Sequence, residues 1–220
     1  MQRVPEPELM EGEEQARAYA EADYGDAHRA IAEGFLERFP LSMRQGSLLD
    51  LGCGPAEISL YIAQASPDLT VVGVDGSEAM LSHGRRAVDA QGLGSRVTLV
   101  QGYLPGAALP QGNFSLLFSN SLLHHMADPR VLWQEIARLG APGAGVFVAD
   151  LHRPEDDATL FELVETHSQG APPVLKRDFV NSLRAAYTVH EVQEQLEQCA
   201  LGHLRVHRTS DRHLRVEGVI

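Results

Sequence analysis

Short apolar runs alternate with longer amphipathic stretches along most of the chain. The runs at residues 48–51, 71–74 and 97–101 are aliphatic and partly β-branched, as expected for parallel strands that are buried on both faces. Between them, apolar residues recur with the period of an amphipathic helix. Strands that alternate with helices in this way predict an α/β fold with a doubly wound, mostly parallel sheet.

The same pattern assigns elements to most of the chain. The predicted strands are residues 48–51, 71–74, 97–101, 114–120 and 145–150, followed by a hairpin of 204–208 and 213–219. The predicted helices are residues 11–22, 27–39, 57–65, 78–91, 129–139, 156–168, 177–187 and 188–199. Thr188 and Glu191 have the spacing of a capping box, which supports a helix start at that point.

Composition and charge narrow the classes of function. Hydrophobic residues make up 44% of the 220 residues, and no apolar run approaches the ~20 residues needed to cross a bilayer. The first residues are polar and acidic, so we expect no signal peptide and a cytoplasmic protein. The formal net charge of −12 opposes binding of nucleic acid, whose phosphates need basic contacts. We therefore expect neither a nucleic-acid partner nor a membrane, while the oligomeric state stays open.

A glycine loop follows the first predicted strand. Asp50 lies at the end of that strand, and Gly52 and Gly54 follow before a helix begins. Glycines at such a turn let the backbone bend sharply and let a ligand approach closely. A dinucleotide fingerprint would have a third glycine where Glu57 stands, and a carboxylate there would repel a pyrophosphate. Acids on both sides of the loop favour a cationic ligand such as S-adenosylmethionine, which carries a sulfonium and an ammonium. The alternative is a tight turn that binds nothing.

A second acid follows the next predicted strand. Asp75 lies about 20 residues beyond the glycine loop, where a ribose-binding acid is expected. Its carboxylate can accept hydrogen bonds from both hydroxyls of a ribose. The alternative is that Asp75 only caps the following helix, because Asp, Gly and Ser, which occupy residues 75–77, are all preferred at helix N-caps.

Four stretches carry a family resemblance. They are residues 49–55 (LDLGCGP), 73–80 (GVDGSEAM), 113–125 (NFSLLFSNSLLHH) and 143–150 (GAGVFVAD). In this order and spacing they resemble the class I S-adenosylmethionine-dependent methyltransferases. The resemblance implies a Rossmann-like sheet of seven strands, in which the terminal hairpin is the antiparallel part.

The length fits a single domain over residues 1–220. The resemblance implies that residues 1–40 form an N-terminal helical cap over the cofactor. Tyr24 in that cap would then flank the sulfonium, where a cation over an aromatic face is favourable. Ordinary helix packing is the alternative for this tyrosine. The helices within residues 152–187 exceed what a crossover needs, so we interpret them as an inserted element over the active site.

The resemblance implies roles for residues at the carboxyl ends of the strands. The methionine part of the cofactor would lie along the backbone of Gly52 and Gly54. Asp50 would orient its ammonium, directly or through water, and Asp75 would hold its ribose. Met80 would pack under the adenine or, alternatively, only in the helix core. The candidate cofactor-binding residues are Tyr24, Asp50, Gly52, Cys53, Gly54, Asp75, Gly76, Met80, Gly102, Tyr103, Leu104 and Asn120.

One departure from the family concerns the adenine. The family commonly has Gly-Asp after the third strand, whereas here Tyr103 follows Gly102. The usual side-chain contact to the adenine amino group is therefore in question. The backbone of Tyr103 and Leu104, or the ring or hydroxyl of Tyr103, would have to replace it.

Two histidines follow the fourth predicted strand, beside the expected methyl group. An imidazole takes up a proton near neutral pH, so His124 or His125 would deprotonate or position the methyl acceptor. Packing is the alternative role for either one. Among the other histidines, no recognised ligand spacing occurs at His152, His203, His207 and His213, and we expect no metal.

These observations predict an S-adenosylmethionine-dependent methyltransferase that acts on a small molecule and releases S-adenosylhomocysteine. The alternative is a non-catalytic subunit or sensor of the same fold that binds either compound. Glu57 disfavours a nicotinamide oxidoreductase, and the chain has no Tyr-x-x-x-Lys pair to activate a carbonyl. The acceptor and the atom that is methylated stay open.

Overall fold

The structure, a computed structural model, describes residues 1–6, 25–109 and 113–220. It contains a seven-stranded sheet in the order β3-β2-β1-β4-β5-β7-β6. Neighbours among β1 to β5 are parallel, and β7 is antiparallel to both β5 and β6, which confirms the predicted fold class. The strands are β1 (Gly46–Leu51), β2 (Leu69–Asp75), β3 (Val97–Gln101), β4 (Phe114–Asn120), β5 (Gly140–Leu151), β6 (Arg205–Arg208) and β7 (His213–Val219).

Helices cover both faces of this sheet. Successive residues of a strand point to opposite faces, and accordingly Leu48 of β1 belongs to one hydrophobic cluster and Leu49 to the other. The first cluster contains Phe35, which packs edge-to-face against Phe118 and Phe147. The helices are α1 (Gly25–Arg38), α2 (Glu57–Gln64), α3 (Glu78–Ala90), α4 (Arg130–Leu139), α5 (Asp157–His167), α6 (Pro173–Ala185) and α7 (Val189–Gln198), with a 3₁₀ turn at Leu123–His125.

The second cluster joins α4 and α7 on the other face. Trp133 of α4 is completely buried in it, and its Nε1 donates a hydrogen bond to Oε1 of Gln195 in α7 at 3.0 Å. The predicted capping box at the start of α7 is confirmed, because Thr188 and Glu191 each accept from the other's backbone N–H.

Two predicted element starts differ from the structure by four or five residues. Helix α6 begins at Pro173 rather than at residue 177, because proline fits the first turn of a helix, where no backbone donor is needed. Strand β5 begins at Gly140 rather than at residue 145, and its register against β4 shifts between Phe114 and Leu116. The predicted helix at residues 11–22 and Tyr24 lie outside the described residues.

Helices α5 and α6 have a small core of their own, in which Leu160 and Leu183 are completely buried. The N-terminal residues 1–6 lie against this unit, since the Val4 N–H donates to the Arg184 carbonyl at 3.0 Å. Within the described residues, no helix is both long and apolar enough to span a membrane.

Candidate functional site

The glycine loop turns directly from β1 into α2. Gly52 and Gly54 have φ angles of 75° and 53°, in the left-handed region that glycine adopts without strain. The N–H groups of Gly52 and Cys53 both donate to the Val74 carbonyl, at 2.8 and 3.1 Å, which ties the loop to the end of β2. A Cβ on Gly54 would meet no atom within 4 Å. The loop therefore presents bare backbone to open space at Gly54, as a ligand-binding turn requires.

The side chain of Cys53 packs against the neighbouring strand. Its sulfur lies 2.8 Å from where a Cβ on Gly73 would be, so the side chain packs onto β2 and turns away from the open side of the loop. Burial raises the pKa of its thiol well above the usual range. Its amide donates to the Val74 carbonyl, and its carbonyl accepts from the Ala56 N–H at 2.9 Å, so both of its backbone polar groups are already bonded within the protein.

Asp50 lies under the loop with one carboxylate oxygen unsatisfied. Its Oδ2 accepts a hydrogen bond from the buried Ser59 hydroxyl at 2.6 Å, whereas its Oδ1 is buried without a hydrogen-bond partner in the described part of the chain. Burial, assisted by the charge of Asp75 and opposed by the Ser59 hydrogen bond, raises the pKa of Asp50 to about 7. A cationic donor at Oδ1 would satisfy this oxygen and offset the cost of its charge. The position thus fits an ammonium group.

Asp75 joins the glycine loop to the start of α3. Its Oδ2 accepts from the Gly54 N–H and its Oδ1 from the Ser77 N–H, both at 2.8 Å. The N-cap of α3 is Ser77, whose hydroxyl accepts from the Met80 N–H at 3.3 Å, so the capping alternative for Asp75 was wrong. The two amides orient the carboxylate at the edge of the loop, where its remaining lone pairs can accept ribose hydroxyls.

The predicted adenine side is built around Tyr103. A Cβ on Gly76 would lie 2.5 Å from the Tyr103 ring, so the aromatic side chain rests on the backbone next to Asp75. Tyr103 is 55% exposed, and it occupies the position where the resembled family commonly has an acid. Leu104 is half-buried beside the core, whereas Met80 is almost fully buried. Met80 therefore has little surface left for a ligand, which favours its helix-core alternative.

A buried imidazole–carboxylate pair lies at the ends of β4 and β5. Nδ1 of His124 is 2.6 Å from Oδ1 of Asp150, and both side chains are at most 3% exposed. Asp150 also accepts from the backbone N–H groups of Leu123 and Leu151, each at 2.7 Å. Burial lowers the pKa of His124, but the charge and hydrogen bond of Asp150 raise it more, so the net pKa lies above its usual value. Asp150 holds Nδ1, and Nε2 is the nitrogen left to act on a ligand.

The chain reaches this pair through a turn after β4. Asn120 is half-buried at the end of the strand, and Ser121 has a φ of 55°, the left-handed conformation that redirects the backbone. The Ser121 N–H donates to the Ala149 carbonyl at 2.9 Å and fixes the turn against β5.

The N-terminal segment brings an acid and a cation to the same place. Glu6 forms an ion pair with Nδ1 of His125, and burial together with the charge of His124 lowers the pKa of His125. Arg3 donates to the Ala185 carbonyl at 2.6 Å and to the His124 carbonyl at 3.1 Å. Its guanidinium lies 4.1 Å from the ring centroid of Tyr187, which is itself buried.

The pairings of these residues were not predicted from the sequence. Asp150 had a usable signal, because it ends an apolar strand next to the strand that precedes the histidines. Glu6 and Arg3 had none, since their places depend on contacts with residues far along the chain. Glu57, read from sequence as a repulsive charge, pairs with His28 of α1 at 2.7 Å.

Comparison with known proteins agrees with this geometry. A family model described as a methyltransferase domain matches residues 48–143. Trans-aconitate 2-methyltransferase of Azoarcus sp. is 31% identical over 143 residues, which are 65% of this chain and 53% of that protein. Demethylmenaquinone methyltransferase of Symbiobacterium thermophilum is 34% identical over 109 residues, which are 49% of this chain and 43% of that protein. In these two matches the chain spans about half the length of the curated relative.

A solved structure matches along nearly the whole chain. The S-adenosylmethionine-dependent methyltransferase from Aquifex aeolicus superposes with a TM-score of 0.69 at 19% sequence identity. The match covers 95% of this chain and 98% of that one, so the two share this fold.

Proposed function

Because the chain belongs to the class I S-adenosylmethionine-dependent methyltransferases, we propose that it transfers a methyl group from that cofactor to a small-molecule acceptor. One observation carries the proposal: Oδ1 of Asp50 is buried without a hydrogen-bond partner at the end of β1, four residues before the open position at Gly54. This oxygen can accept a hydrogen bond from the ammonium in the methionine part of the cofactor. The cofactor has no phosphate, so the site needs no phosphate-binding group.

Several residues would hold the cofactor. Asp50 would accept from its ammonium, and the bare backbone at Gly54 would let the methionine part approach. Asp75, already oriented by two amides, would accept from the ribose hydroxyls. Tyr103 would cover the adenine in place of the family's acid. When bound, the cofactor supplies a methyl group that its sulfonium activates toward nucleophiles.

His124 would act on the acceptor. Asp150 accepts only, so Nδ1 of His124 must carry the proton of their hydrogen bond, and Nε2 is left as the basic nitrogen. Nε2 would take the proton of an acceptor hydroxyl, amine or thiol as it attacks. Asp150 is then a positioning residue that fixes the ring and its tautomer, and general-base catalysis of this kind contributes about 10²–10⁴-fold in rate.

The named relatives and the net charge of the chain both favour a small-molecule methyl acceptor. The relatives at about a third identity are named for trans-aconitate and demethylmenaquinone, which are both small molecules. The net charge of −12 disfavours a nucleic-acid acceptor. We further propose that the described N-terminal residues and helices α5 and α6 border the acceptor, as parts of one domain that acts in the cytoplasm.

The test is a methylation screen with a donor that carries an isotopically labelled methyl group. Purified protein is incubated with fractionated small-molecule extracts, and mass spectrometry detects compounds that gain the label. The expected result is a labelled product that is lost in His124→Gln but kept in His190→Gln, which removes an exposed imidazole. Tight cofactor binding with no labelled product in any fraction would favour the non-catalytic alternative, and no binding would refute both.

A further inference from the structure

Three ligand-type side chains converge beside the proposed acceptor position. Glu6 comes from the N-terminal segment, and His124 and His125 come from the turn after β4. One potential ligand atom from each lies within 4.8 Å of the other two. His124 is buried, and Glu6 and His125 are partly buried, so a ligand bound there would be largely withdrawn from solvent.

The surroundings of these three side chains resemble the outer shell of a metal site. A histidine that binds a metal usually donates its other ring N–H to a carboxylate, and His124 does so to Asp150 at 2.6 Å. Asp150 is itself fixed by two backbone amides. Glu6 is oriented in a similar way, because its Oε1 accepts from the Ser182 hydroxyl at 2.5 Å while Oε2 faces His125.

His125 carries the observation that needs an explanation. Its Nδ1 is buried and in contact with the Glu6 carboxylate, yet the contact lacks the geometry of a hydrogen bond. A cation between this nitrogen and the carboxylate would coordinate both. Ligands at ~2.0–2.2 Å from a metal lie roughly 3–4 Å apart, so small side-chain rotations would suffice.

We propose that Glu6, His124 and His125 form a binding site for a divalent transition-metal cation. Two imidazoles and one carboxylate suit Zn²⁺, Fe²⁺ or Co²⁺ and leave coordination positions open. An acceptor with a hydroxyl or carboxylate oxygen would occupy an open position. The bound cation would lower the pKa of a coordinated hydroxyl and so favour loss of its proton to solvent. In the metal-free protein, Nε2 of His124 would instead accept that proton, as proposed above. The binding site itself does not rest on the proposed methyl transfer.

Metal binding is tested without any activity assay. Protein dialysed against a chelator is titrated with Co²⁺, whose visible absorption reports coordination by nitrogen and oxygen, and separately with Zn²⁺ by calorimetry. One equivalent of each is expected. Glu6→Gln and His125→Gln should weaken binding at least 100-fold, and Asp150→Asn about 10–100-fold through the outer shell. His190→Gln is the matched control, because it removes an exposed imidazole.

The outcomes separate the two proposals. Wild-type affinity in both Glu6→Gln and His125→Gln, or no stoichiometric binding to the wild type, would overturn the metal site. Circular dichroism identifies a variant that fails to fold, and Ser182→Ala then gives a milder perturbation of Glu6. Titration with S-adenosylmethionine is run in parallel. Metal binding without cofactor binding would refute the proposed function alone, and the reverse would refute the metal site alone.

Discussion

Replacing Asp50 with Asn should stabilise the ligand-free protein at neutral and alkaline pH while weakening its binding of S-adenosylmethionine. The substitution keeps an oxygen that can accept from Ser59 but removes the buried charge. Asp50 has a pKa of about 7 in the folded protein against an ordinary value of 3.8. The folded state therefore holds the proton more tightly, and its stability falls as pH rises from about 4 to about 7 and is constant above that range.

The size of the effect follows from these two pKa values. The interval between 3.8 and about 7, at about 1.4 kcal/mol per pH unit, corresponds to about 4 kcal/mol. The Asp50→Asn side chain is neutral at every pH, so the variant's advantage in unfolding free energy should grow from near zero at pH 4 to that order above pH 7. Cofactor binding should show the opposite effect, since losing a hydrogen bond to a charged group costs about 1.5–3 kcal/mol, or roughly 10–150-fold in Kd.

Urea denaturation followed by circular dichroism at a series of pH values measures the unfolding free energy of both proteins. Calorimetric titration measures their Kd for S-adenosylmethionine. The affinity of the wild-type protein for S-adenosylmethionine should fall by up to about tenfold for each unit that the pH is lowered below 7, because binding then displaces a proton from Asp50. Asp68→Asn is the control, since it removes an exposed carboxylate away from the loop. A stability difference that does not vary between pH 4 and 7, or unchanged affinity at pH 8, would refute the reasoning.

Three further predictions follow from the same geometry. Gly54→Ala should weaken cofactor binding in calorimetric titrations, whereas Gly92→Ala, the control, should not. Both glycines have a positive φ and open space around the position of an added Cβ, so both variants should lose a similar ~1–2 kcal/mol of unfolding free energy in denaturant. In steady-state kinetics, His124→Gln should lower kcat by about 10²–10⁴-fold while the Kd for the cofactor stays unchanged. Asp150→Asn should also lower kcat, because it misorients the imidazole of His124. A change confined to KM would contradict both roles. Trp133→Ala should cost about 3–5 kcal/mol of unfolding free energy in urea, and a loss below about 1 kcal/mol would mean that the α4–α7 contact adapts.

The sheet was predictable from sequence because its central strands are buried on both faces and therefore read as continuous apolar runs. The capping box of Thr188 and Glu191 was predictable because it depends on residues only three positions apart. Helix α6 was misplaced because Pro172 and Pro173 indicate a break, although the second of them fits a helix start. Local rules cannot decide which of these two uses of proline the tertiary structure selects.

In the candidate site too, residues within local motifs were predictable from sequence and long-range pairings were not. Asp50 and Asp75 stood out because each follows an apolar strand within one local motif. The pairs of His124 with Asp150 and of His125 with Glu6 join residues distant in sequence, and no periodicity records such contacts. The unsatisfied Oδ1 of Asp50 was equally hidden, because it depends on how completely α2 covers the end of β1.

The two halves of the site have different origins along the chain. The loops after β1, β2 and β3 come from one continuous stretch, whereas the histidine side is assembled from the N-terminal segment, the ends of β4 and β5, and helix α6. Changes in those scattered segments can therefore accumulate while the contiguous stretch stays intact. For protein engineering, this makes the histidine side a natural place for chimeras, in which Glu6 and Ser182 must be transplanted together because one orients the other.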